Sequence, residues 1–201
     1  MTGRVARLSL WRDAVASLEG TISEVPAGPA APAFHIRAVE PSDSDELRHF
    51  YATLSATSRY RRFFGMGAGI GPDDARRFCR PDHAHAEGFV AMLSESGPGD
   101  GAIMGHLCLE PGADDTVELA IVVADRYQRR GMGRRLVAAG RDWAERSGIG
   151  RLEATMFADN GGTVALLRSL DRPIQWSSGA GVITATVELR PRMQAQRFLV
   201  A

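Results

Sequence analysis

The chain has 201 residues, 44% of them hydrophobic, which is enough to bury one core and leaves room for an appendage. Its 24 basic residues, all of them arginine, balance 24 acidic residues, so no net charge favours nucleic acid as a partner. The longest uncharged apolar run, Leu119 to Ala124, is far too short to span a bilayer, and Arg12 and Asp13 interrupt the N-terminal apolar stretch, which argues against a secretory signal and a membrane role.

The N-terminal part of the chain differs in composition from the rest of the sequence. Leu8, Trp11, Val15 and Leu18 recur at helical spacing, and the stretch 25–32 is rich in proline and alanine. This pattern predicts a docking helix followed by a linker. The predicted organisation is an appendage at residues 1–33, a main domain at 34–190 and a tail at 191–201.

Strand and helix patterns alternate through the main domain. The strand patterns fall at 34–39, 88–93, 103–109, 116–123, 151–156, 174–176 and 181–189. The helical patterns start at Pro41, pass through Tyr60 and Phe64, and then cover 72–79, 134–148 and 163–170. The glycine-rich stretch 96–101 predicts a hairpin turn between two of the strands. These elements together predict an α/β fold.

The most informative stretch is Gln128-Arg129-Arg130-Gly131-Met132-Gly133, between an apolar strand and a helical pattern. The first turn of a helix has unpaired backbone N–H groups and the positive end of the helix dipole, so a pyrophosphate can bind there to main chain alone. A Rossmann fingerprint would need glycine where Leu136 stands, and a P-loop would need a lysine, which this chain lacks. Both of those phosphate loops are excluded.

Gln-x-x-Gly-x-Gly after an apolar strand resembles the acetyl-CoA signature of the GNAT superfamily of N-acetyltransferases, and the resemblance extends over residues 34–189. Residues 116–123 look like the family's fourth strand, whose backbone holds the pantetheine arm. Residues 151–156 look like the fifth strand, which splays from the fourth to form the cofactor cleft. The resemblance implies a mixed, mostly antiparallel sheet splayed between strands 4 and 5 and flanked by helices, with acetyl-CoA as cosubstrate and no metal.

The same resemblance assigns cofactor-binding residues. They lie in the fourth strand, the glycine turn and the starts of two helices: Ile121, Val122, Val123, Gln128, Arg129, Arg130, Gly131, Met132, Gly133, Arg134 and Asn160. A main-chain N–H near Val122 is expected to support the developing oxyanion. Of the four arginines at 129, 130, 134 and 135, one or two are expected to contact CoA phosphates. Asn160 matches the residue that opens the family's fourth helix, and it either contacts the cofactor or caps that helix.

An acceptor amine attacks a thioester as the free base, so an ammonium substrate must lose a proton. Glu118 is the candidate catalytic base, because strand alternation places it on one face with Ala120 and Val122, beside the expected thioester. Burial among those apolar neighbours would make it a better base near neutral pH. The alternative is a solvent-facing glutamate on a half-exposed strand. Leu167 stands where many small-molecule GNAT enzymes have a tyrosine as general acid.

The segment from Leu54 to Phe64 is similar to one that marks the bacterial Pat-type protein lysine acetyltransferases, which use a glutamate at the position of Glu118 as base. The resemblance implies a protein substrate with an exposed lysine. A small-molecule amine acceptor and a non-catalytic acyl-CoA-binding regulatory module are the alternatives. Within this segment Tyr60, Phe63 and Phe64 are candidates for the wall of the acceptor site, and packing against the core is expected for at least two of them.

The remaining chemistry-bearing residues have simpler interpretations. Cys79 and Cys108 lie far apart without metal-ligand spacing, which favours reduced, buried thiols in a cytoplasmic protein. His83 and His85 have no third ligand at suitable spacing nearby, so surface histidines rather than a metal site are expected.

Overall fold

The computed structural model describes residues 33–65, 69–94 and 101–189. The strands in these ranges are β1 Phe34–Ala38, β2 Glu87–Leu93, β3 Ile103–Pro111, β4 Thr116–Val123, β5 Arg151–Phe157, β6 Ile174–Gly179 and β7 Val182–Glu188. The α-helices are α1 Ser44–Thr53, α2 Ala56–Phe63, α3 Pro72–Phe78, α4 Met132–Arg146 and α5 Gly161–Arg168. The predicted N-terminal helix, the linker, the C-terminal tail and most of the predicted turn at 96–101 lie outside the described residues.

The seven strands form one open sheet in the order β1-β2-β3-β4-β5-β7-β6. Neighbouring strands run antiparallel except β4 and β5, which are parallel. A parallel pair needs a crossover, and α4 supplies it between β4 and β5. The mixed, mostly antiparallel sheet that the sequence predicts is therefore confirmed.

Helices cover both faces of the sheet because alternate residues of its strands are apolar on each side. Leu136 and Val137 of α4 and Leu167 of α5 pack on one face, against a cluster that includes Leu107 and Leu119. On the other face, α1 and α3 pack against a second cluster that includes Val90, Cys108 and Val122. Even-numbered residues of β4 thus face α1, α2 and α3, and odd-numbered residues face α4 and α5.

Several boundaries differ from the sequence prediction. The helix predicted from Pro41 is split, because Pro41–Asp43 forms a 3₁₀ turn in which Asp43 accepts a 2.7 Å hydrogen bond from the backbone N–H of Glu40 before α1 begins. Helix α4 starts at Met132, two residues before the predicted start, because Gly131 takes a left-handed conformation that ends the preceding loop. Strand β6 continues to Gly179 rather than ending at Trp176.

Candidate active site

Strands β4 and β5 part from each other in the middle of the sheet. Their ladder pairs Thr116 with Arg151, Val117 with Leu152 and Glu118 with Glu153, and goes no further. Beyond these pairs the C-terminal half of β4 is open on its β5 side. The predicted cleft between the fourth and fifth strands is present, and Glu118 lies at its inner end.

The loop between β4 and α4 brings an uncapped helix N-terminus to the mouth of this cleft. Gly131 has φ of 82°, and Arg129 before it also has a positive φ of 61°. No side chain caps α4, and its first turn contains no acidic residue. A Cβ built on Gly131 would meet nothing within 4 Å, so open space lies over the turn. An uncapped N-terminus beside open space, with basic neighbours, fits a phosphate ligand.

The arginines near this turn differ in their surroundings. Arg129 and Arg134 are exposed, and Arg130 is partly buried. Arg135 donates to the carbonyl of Phe34 at 3.3 Å, and its guanidinium lies 4.5 Å from the Phe34 ring. Arg129, Arg130 and Arg134 remain the candidates for phosphate contacts.

The structure gives a second reason for glycine at position 133, in addition to the close approach of the pyrophosphate that the sequence predicts. A Cβ at this position would lie 3.0 Å from Cδ1 and 3.1 Å from Cδ2 of Leu166, on the neighbouring helix α5. The glycine therefore also allows α4 and α5 to approach closely.

Gln128, predicted to bind the cofactor, has its side-chain amide engaged within the protein. Its Nε2 donates to the carbonyl of Val123 at 3.0 Å and to Oγ of Ser58 at 3.2 Å. Asp125 makes a parallel connection, because its carboxylate accepts from the backbone N–H and the hydroxyl of Ser55 and from the hydroxyl of Ser58. Partial burial opposes the charge of Asp125, but these donors outweigh it and lower the pKa of the carboxyl. The glycine turn is thus tied to the start of α2.

Asn160 caps α5. Its Oδ1 accepts a 3.2 Å hydrogen bond from the backbone N–H of Thr163, as one of the two sequence interpretations expects. Leu167, whose position holds a tyrosine in many small-molecule enzymes of the family that the sequence resembles, is fully buried in the core. That position therefore presents no group to the cleft.

Glu118 lies beside a pocket of about 340 Å³ on the face of β4 that α2 and α3 cover. The pocket is lined by Arg62, Phe63, Gly69, Ile70, Asp74, Arg77, Phe78, Cys108, Glu110, Glu118 and Ala120. The side chain of Glu118 is exposed, so the predicted burial was wrong. The reason is its position, because Val122 further along β4 is buried under the helices while Glu118 lies where they leave the pocket open.

Three residues of this pocket region were not singled out by sequence reasoning. Glu110 on β3 and Glu153 on β5 stand directly beside Glu118 in register, on the same face. Arg62 of α2 donates through Nη2 to Sγ of Cys108 at 3.1 Å. Alternation along β3 and β5 gives the faces of the two glutamates, but the register that aligns them with Glu118 is set by tertiary structure.

The three aromatic candidates, two in α2 and Phe64 directly after it, divide into two groups. Phe63 packs beside Tyr51, with ring centroids 5.4 Å apart, and lines the pocket. Tyr60 and Phe64 instead pack on Phe157 of β5, at 4.8 and 4.9 Å between centroids, and stay 40% and 43% exposed. Core packing holds for Phe63 alone, so the expectation of at least two was wrong.

A buried polar pair lies beneath α1 on the same side of the sheet. The hydroxyl of Tyr51 and Nδ1 of His106 are 2.9 Å apart, and both side chains are fully buried. Burial and the nearby Arg62 charge lower the pKa of His106 to about 3 and burial raises that of Tyr51 to about 12, so both are neutral at physiological pH. His106 therefore contributes no charge to the pocket.

The exposed histidines and a second surface depression lie away from the cleft. His83 and His85 are exposed, as predicted, and contact the carboxylates of Glu87 and Asp82. In the described ranges no group of three His, Cys, Asp or Glu side chains is arranged to hold a metal ion. A wider depression of about 410 Å³ lies at the start of β6, lined by residues between Arg168 and Trp176, and contains none of the predicted site residues. The cleft beside β4 is therefore the candidate active site.

The chain is similar to known acetyltransferases in sequence and in fold. Residues 48–171 match the acetyltransferase (GNAT) family, so the chain belongs to the GNAT family of acetyltransferases. The GNAT domain of PAT from S. lividans superposes with a TM-score of 0.68 at 22% identity over 81% of this chain and 99% of that domain.

Two other solved structures have the same fold. The putative acetyltransferase yncA from Salmonella typhimurium, solved with its cofactor acetyl-CoA, has a TM-score of 0.62 at 18% identity over 81% of this chain and 96% of its own. Spermidine N-acetyltransferase from Vibrio cholerae, solved with CoA and spermine, has a TM-score of 0.58 at 15% identity over 78% of this chain and 95% of its own.

Family membership fixes the general activity. The chain is a GNAT-type N-acetyltransferase, and acetyl-CoA is its cosubstrate. The uncapped start of α4 and the open space over Gly131 fit the pyrophosphate of that cosubstrate. Among the helices of the described ranges, none combines the length and apolar character needed to cross a membrane.

Proposed function

We propose that this chain transfers acetyl from acetyl-CoA to a lysine side-chain amino group of a protein, in the cytoplasm, with Glu118 as the general base. The observation that carries the proposal is the position of Glu118, in a pocket at the inner end of the β4–β5 cleft. Cofactor and acceptor would approach this carboxylate from two sides, the thioester along β4 and the amine through the pocket.

The pocket suits an alkyl ammonium group. Phe63, Ile70, Phe78 and Ala120 give it apolar walls, and Glu118 provides an exposed carboxylate among them. An unbranched aliphatic side chain can lie against such walls while its charged end reaches the carboxylate.

The proposed reaction uses the Glu118 carboxylate and the backbone of β4. Glu118 takes one proton from the ammonium, directly or through one water, and the free amine attacks the thioester carbonyl to form a C–N bond. Main-chain N–H groups at Ile121 to Val123 stabilise the oxyanion. The C–S bond breaks to release a thiolate, which needs little acid assistance because an ordinary thiol titrates at about 8.5. The nitrogen gives its second proton to that thiolate, directly or through water, so the products are a neutral amide and CoA as the thiol.

Two features favour a protein over a small amine as acceptor. The segment 54–64, similar to that of Pat-type enzymes, forms α2 and contributes Arg62 and Phe63 to the pocket wall. The PAT domain of S. lividans also shares the fold over 99% of its length. The second candidate, a small-molecule amine acceptor, is favoured by the shared fold of the Vibrio cholerae spermidine enzyme. A regulatory module that binds acyl-CoA without turnover is the third.

Mass spectrometry of acetylated peptides tests the proposal. A cell extract is incubated with acetyl-CoA and either the wild-type chain or Glu118→Gln, and lysine acetylation is compared between the two. The enzyme contains no lysine, so every acetyl-lysine peptide comes from the extract. Sites that depend on wild-type enzyme support the proposal. Acetylation confined to polyamines or other small amines supports the second candidate, and no transfer to any amine supports the regulatory module.

A further inference from the structure

Helix α2 lies across the gap between β4 and β5. The ladder of these strands ends at the pair of Glu118 with Glu153. Four residues further along each strand stand Val122 on β4 and Phe157 on β5, and strand alternation puts both on the face of the two glutamates. Helix α2 packs against β4 on that face and also contacts Phe157. The helix therefore covers the gap from one strand to the other.

The contacts of α2 on the β4 side are polar. The hydroxyl of Ser58 donates to the Asp125 carboxylate at 2.8 Å and accepts from Gln128 at 3.2 Å. Ser55 donates to the same carboxylate through its backbone N–H and its hydroxyl. Asp125 and Gln128 belong to the loop that follows β4. The start of α2 is thus attached to the strand along which the thioester is proposed to lie.

The contacts of α2 on the β5 side are aromatic. The rings of Tyr60 and Phe157 are stacked, with 4.8 Å between their centroids and 7° between their planes, and the Phe64 ring lies 4.9 Å from the same phenylalanine. Arg61 adds a 3.5 Å ion pair to Asp159, two residues after β5. An aromatic pair stabilises a contact beyond the apolar area that it buries. The three rings Tyr60, Phe64 and Phe157 are called the aromatic clasp below.

The aromatic clasp contributes little to the cores of the domain. Tyr60 and Phe64 remain 40% and 43% exposed. None of the three rings belongs to the two clusters of buried side chains found in the described ranges. Rings that served core stability would be buried, whereas these rings hold α2 to the strand on the far side of the gap. Their position therefore indicates a role at the cleft.

We propose that the stack of Tyr60 on Phe157 keeps α2 closed over the gap and so excludes bulk water from the acetyl thioester. The inference rests on the proposed function, which places the thioester along β4. Both are positioning residues, because they act through α2 and take no part in bond making. Water that reaches the thioester carbonyl forms a C–O bond as the C–S bond breaks, which yields acetate, a proton and CoA as the thiol. Closure of the site against water prevents this side reaction.

Hydrolysis of acetyl-CoA in the absence of any amine measures this exclusion of water. The purified chain is incubated with saturating acetyl-CoA in an amine-free buffer, and the CoA released is quantified by chromatography against an enzyme-free blank. Tyr60→Ala and Phe157→Ala each remove one ring of the stack, whereas Tyr60→Phe keeps the ring and removes only the hydroxyl. Trp176→Ala is the matched control, because Trp176 is also 40% exposed but lies on β6, away from the gap.

In the two alanine variants we expect hydrolysis to rise by about ten-fold, since loss of one aromatic pair can shift the equilibrium between closed and open α2 by a factor of that order. The double variant should hydrolyse little faster than Phe157→Ala, because both substitutions break the same stack. Tyr60→Phe and Trp176→Ala should keep the wild-type rate. The Kd of acetyl-CoA should change little, because the glycine turn is untouched.

An unchanged hydrolysis rate in folded Tyr60→Ala would overturn the proposal. An equal rise in Tyr60→Phe or in Trp176→Ala would do the same, because neither variant removes a ring of the stack. Tyr60 lies outside both cores, so its alanine variant tests the stack whether or not Phe157→Ala folds.

The hydrolysis assay separates this inference from the proposed function, because it needs neither an acceptor nor an assigned base. If lysine acetylation depends on Glu118 while hydrolysis does not respond to Tyr60, the proposed function stands and the role of the stack is refuted. If loss of the ring raises hydrolysis while no lysine is acetylated, the stack excludes water as proposed and the assignment of the acceptor fails.

Discussion

The glycine turn follows the C-terminal end of β4, whereas the proposed acceptor pocket lies beside Glu118 and Ala120 of that strand, and the two are built differently. The turn uses backbone, since its chemistry comes from the uncapped start of α4 and the left-handed Gly131 within six consecutive residues. The pocket uses side chains from α2, α3, β3 and β4, which are separated by many residues in the chain. The proposed cofactor half of the site is therefore local in sequence, and the proposed acceptor half depends on the fold.

This difference predicts which functional property a substitution in each half will affect. Main-chain phosphate recognition tolerates many side chains around the glycines, so the turn can persist while neighbouring residues vary. The pocket changes its chemistry with any one of its side chains. Substitutions in the pocket should therefore alter turnover or acceptor choice, and substitutions in the turn should alter cofactor affinity.

The largest expected effect is that of Glu118→Gln. Glutamine keeps the size and hydrogen bonding of the side chain but cannot take a proton, so kcat should fall by about a hundred- to ten-thousand-fold. Acetyl-CoA affinity, measured by calorimetry, should change little because the turn is untouched.

The matched control for this substitution is Glu188→Gln on β7, outside the pocket, whose carboxylate contacts Gln175. It should leave kcat unchanged. If Glu118→Gln has a rate near that of the wild type and the same pH profile, Glu118 is not the base. The contrast between a half that controls turnover and a half that controls cofactor affinity would then fail.

A second substitution tests the turn. Saturating acetyl-CoA at a hundred times its Kd should stabilise the wild type by about 2.7 kcal/mol and raise its Tm, and Gly133→Val should abolish that shift because a branched side chain fills space beside the pyrophosphate. The variant also presses on Leu166, whose Cδ1 would lie 3.0 Å from a Cβ at position 133.

Leu166→Ala in the same chain makes room for the valine and serves as the control for packing. In Gly133→Val with Leu166→Ala, the acetyl-CoA shift should remain absent. Recovery of the shift there would mean that Gly133 serves helix packing alone and that the pyrophosphate binds elsewhere.

The hydrogen bonds of Asp125, which connect the turn to α2, should make a smaller, pH-dependent contribution to the free energy of unfolding. Asp125→Asn weakens the bonds from Ser55 and Ser58, and chemical denaturation at pH 7 should show a loss of roughly 0.5–1 kcal/mol, a modest value because the carboxylate is partly solvated. The folded pKa of Asp125 is lowered, so this stabilisation is present above the ordinary carboxyl value of 3.8 and disappears as pH falls through the lower, folded pKa.

Wild type and Asp125→Asn should therefore converge in stability in strong acid. Asp159→Asn is the comparison, because Asp159 makes an exposed 3.5 Å ion pair with Arg61 and should cost less at neutral pH. Equal losses from the two substitutions would show that the Asp125 connection is no stronger than an ordinary surface pair.

The smallest expected effect concerns the N-terminal residues. A chain that starts at Pro32 keeps every described residue of the turn and the pocket, so it should bind acetyl-CoA with similar affinity by calorimetry. Loss of folded, cofactor-binding protein would show that residues 1–31 complete the main domain.

Much of the fold could be predicted from the sequence because its signals are local. Alternation predicted the strands, and the resemblance to the GNAT family, which the turn before α4 first suggested, predicted that β4 and β5 splay apart. The start of α4 was misplaced, since helical spacing begins to show only after the glycines. The extension of β6 to Gly179 was missed because its residues are exposed and show no apolar alternation.

The acceptor side was predicted less well. Glu118 was identified by position, but its exposure depends on how far α2 and α3 extend over β4, which sequence periodicity does not contain. Arg62, Glu110 and Glu153 were missed because their proximity to Glu118 depends on strand register and helix docking. The assignment of Gln128 to the cofactor stays a prediction, and the sequence did not show that its side-chain amide bonds to Ser58 and Val123.

The bonds that Ser58 makes to Gln128 and Asp125 have a kinetic consequence. They join the turn proposed to bind the pyrophosphate to α2, which forms one wall of the proposed acceptor pocket. Binding of acetyl-CoA should therefore reduce the mobility of α2 and order the pocket. An amine that binds before acetyl-CoA would meet a less ordered pocket and bind more weakly. We expect steady-state kinetics to show a compulsory order, with acetyl-CoA entering first and CoA leaving last.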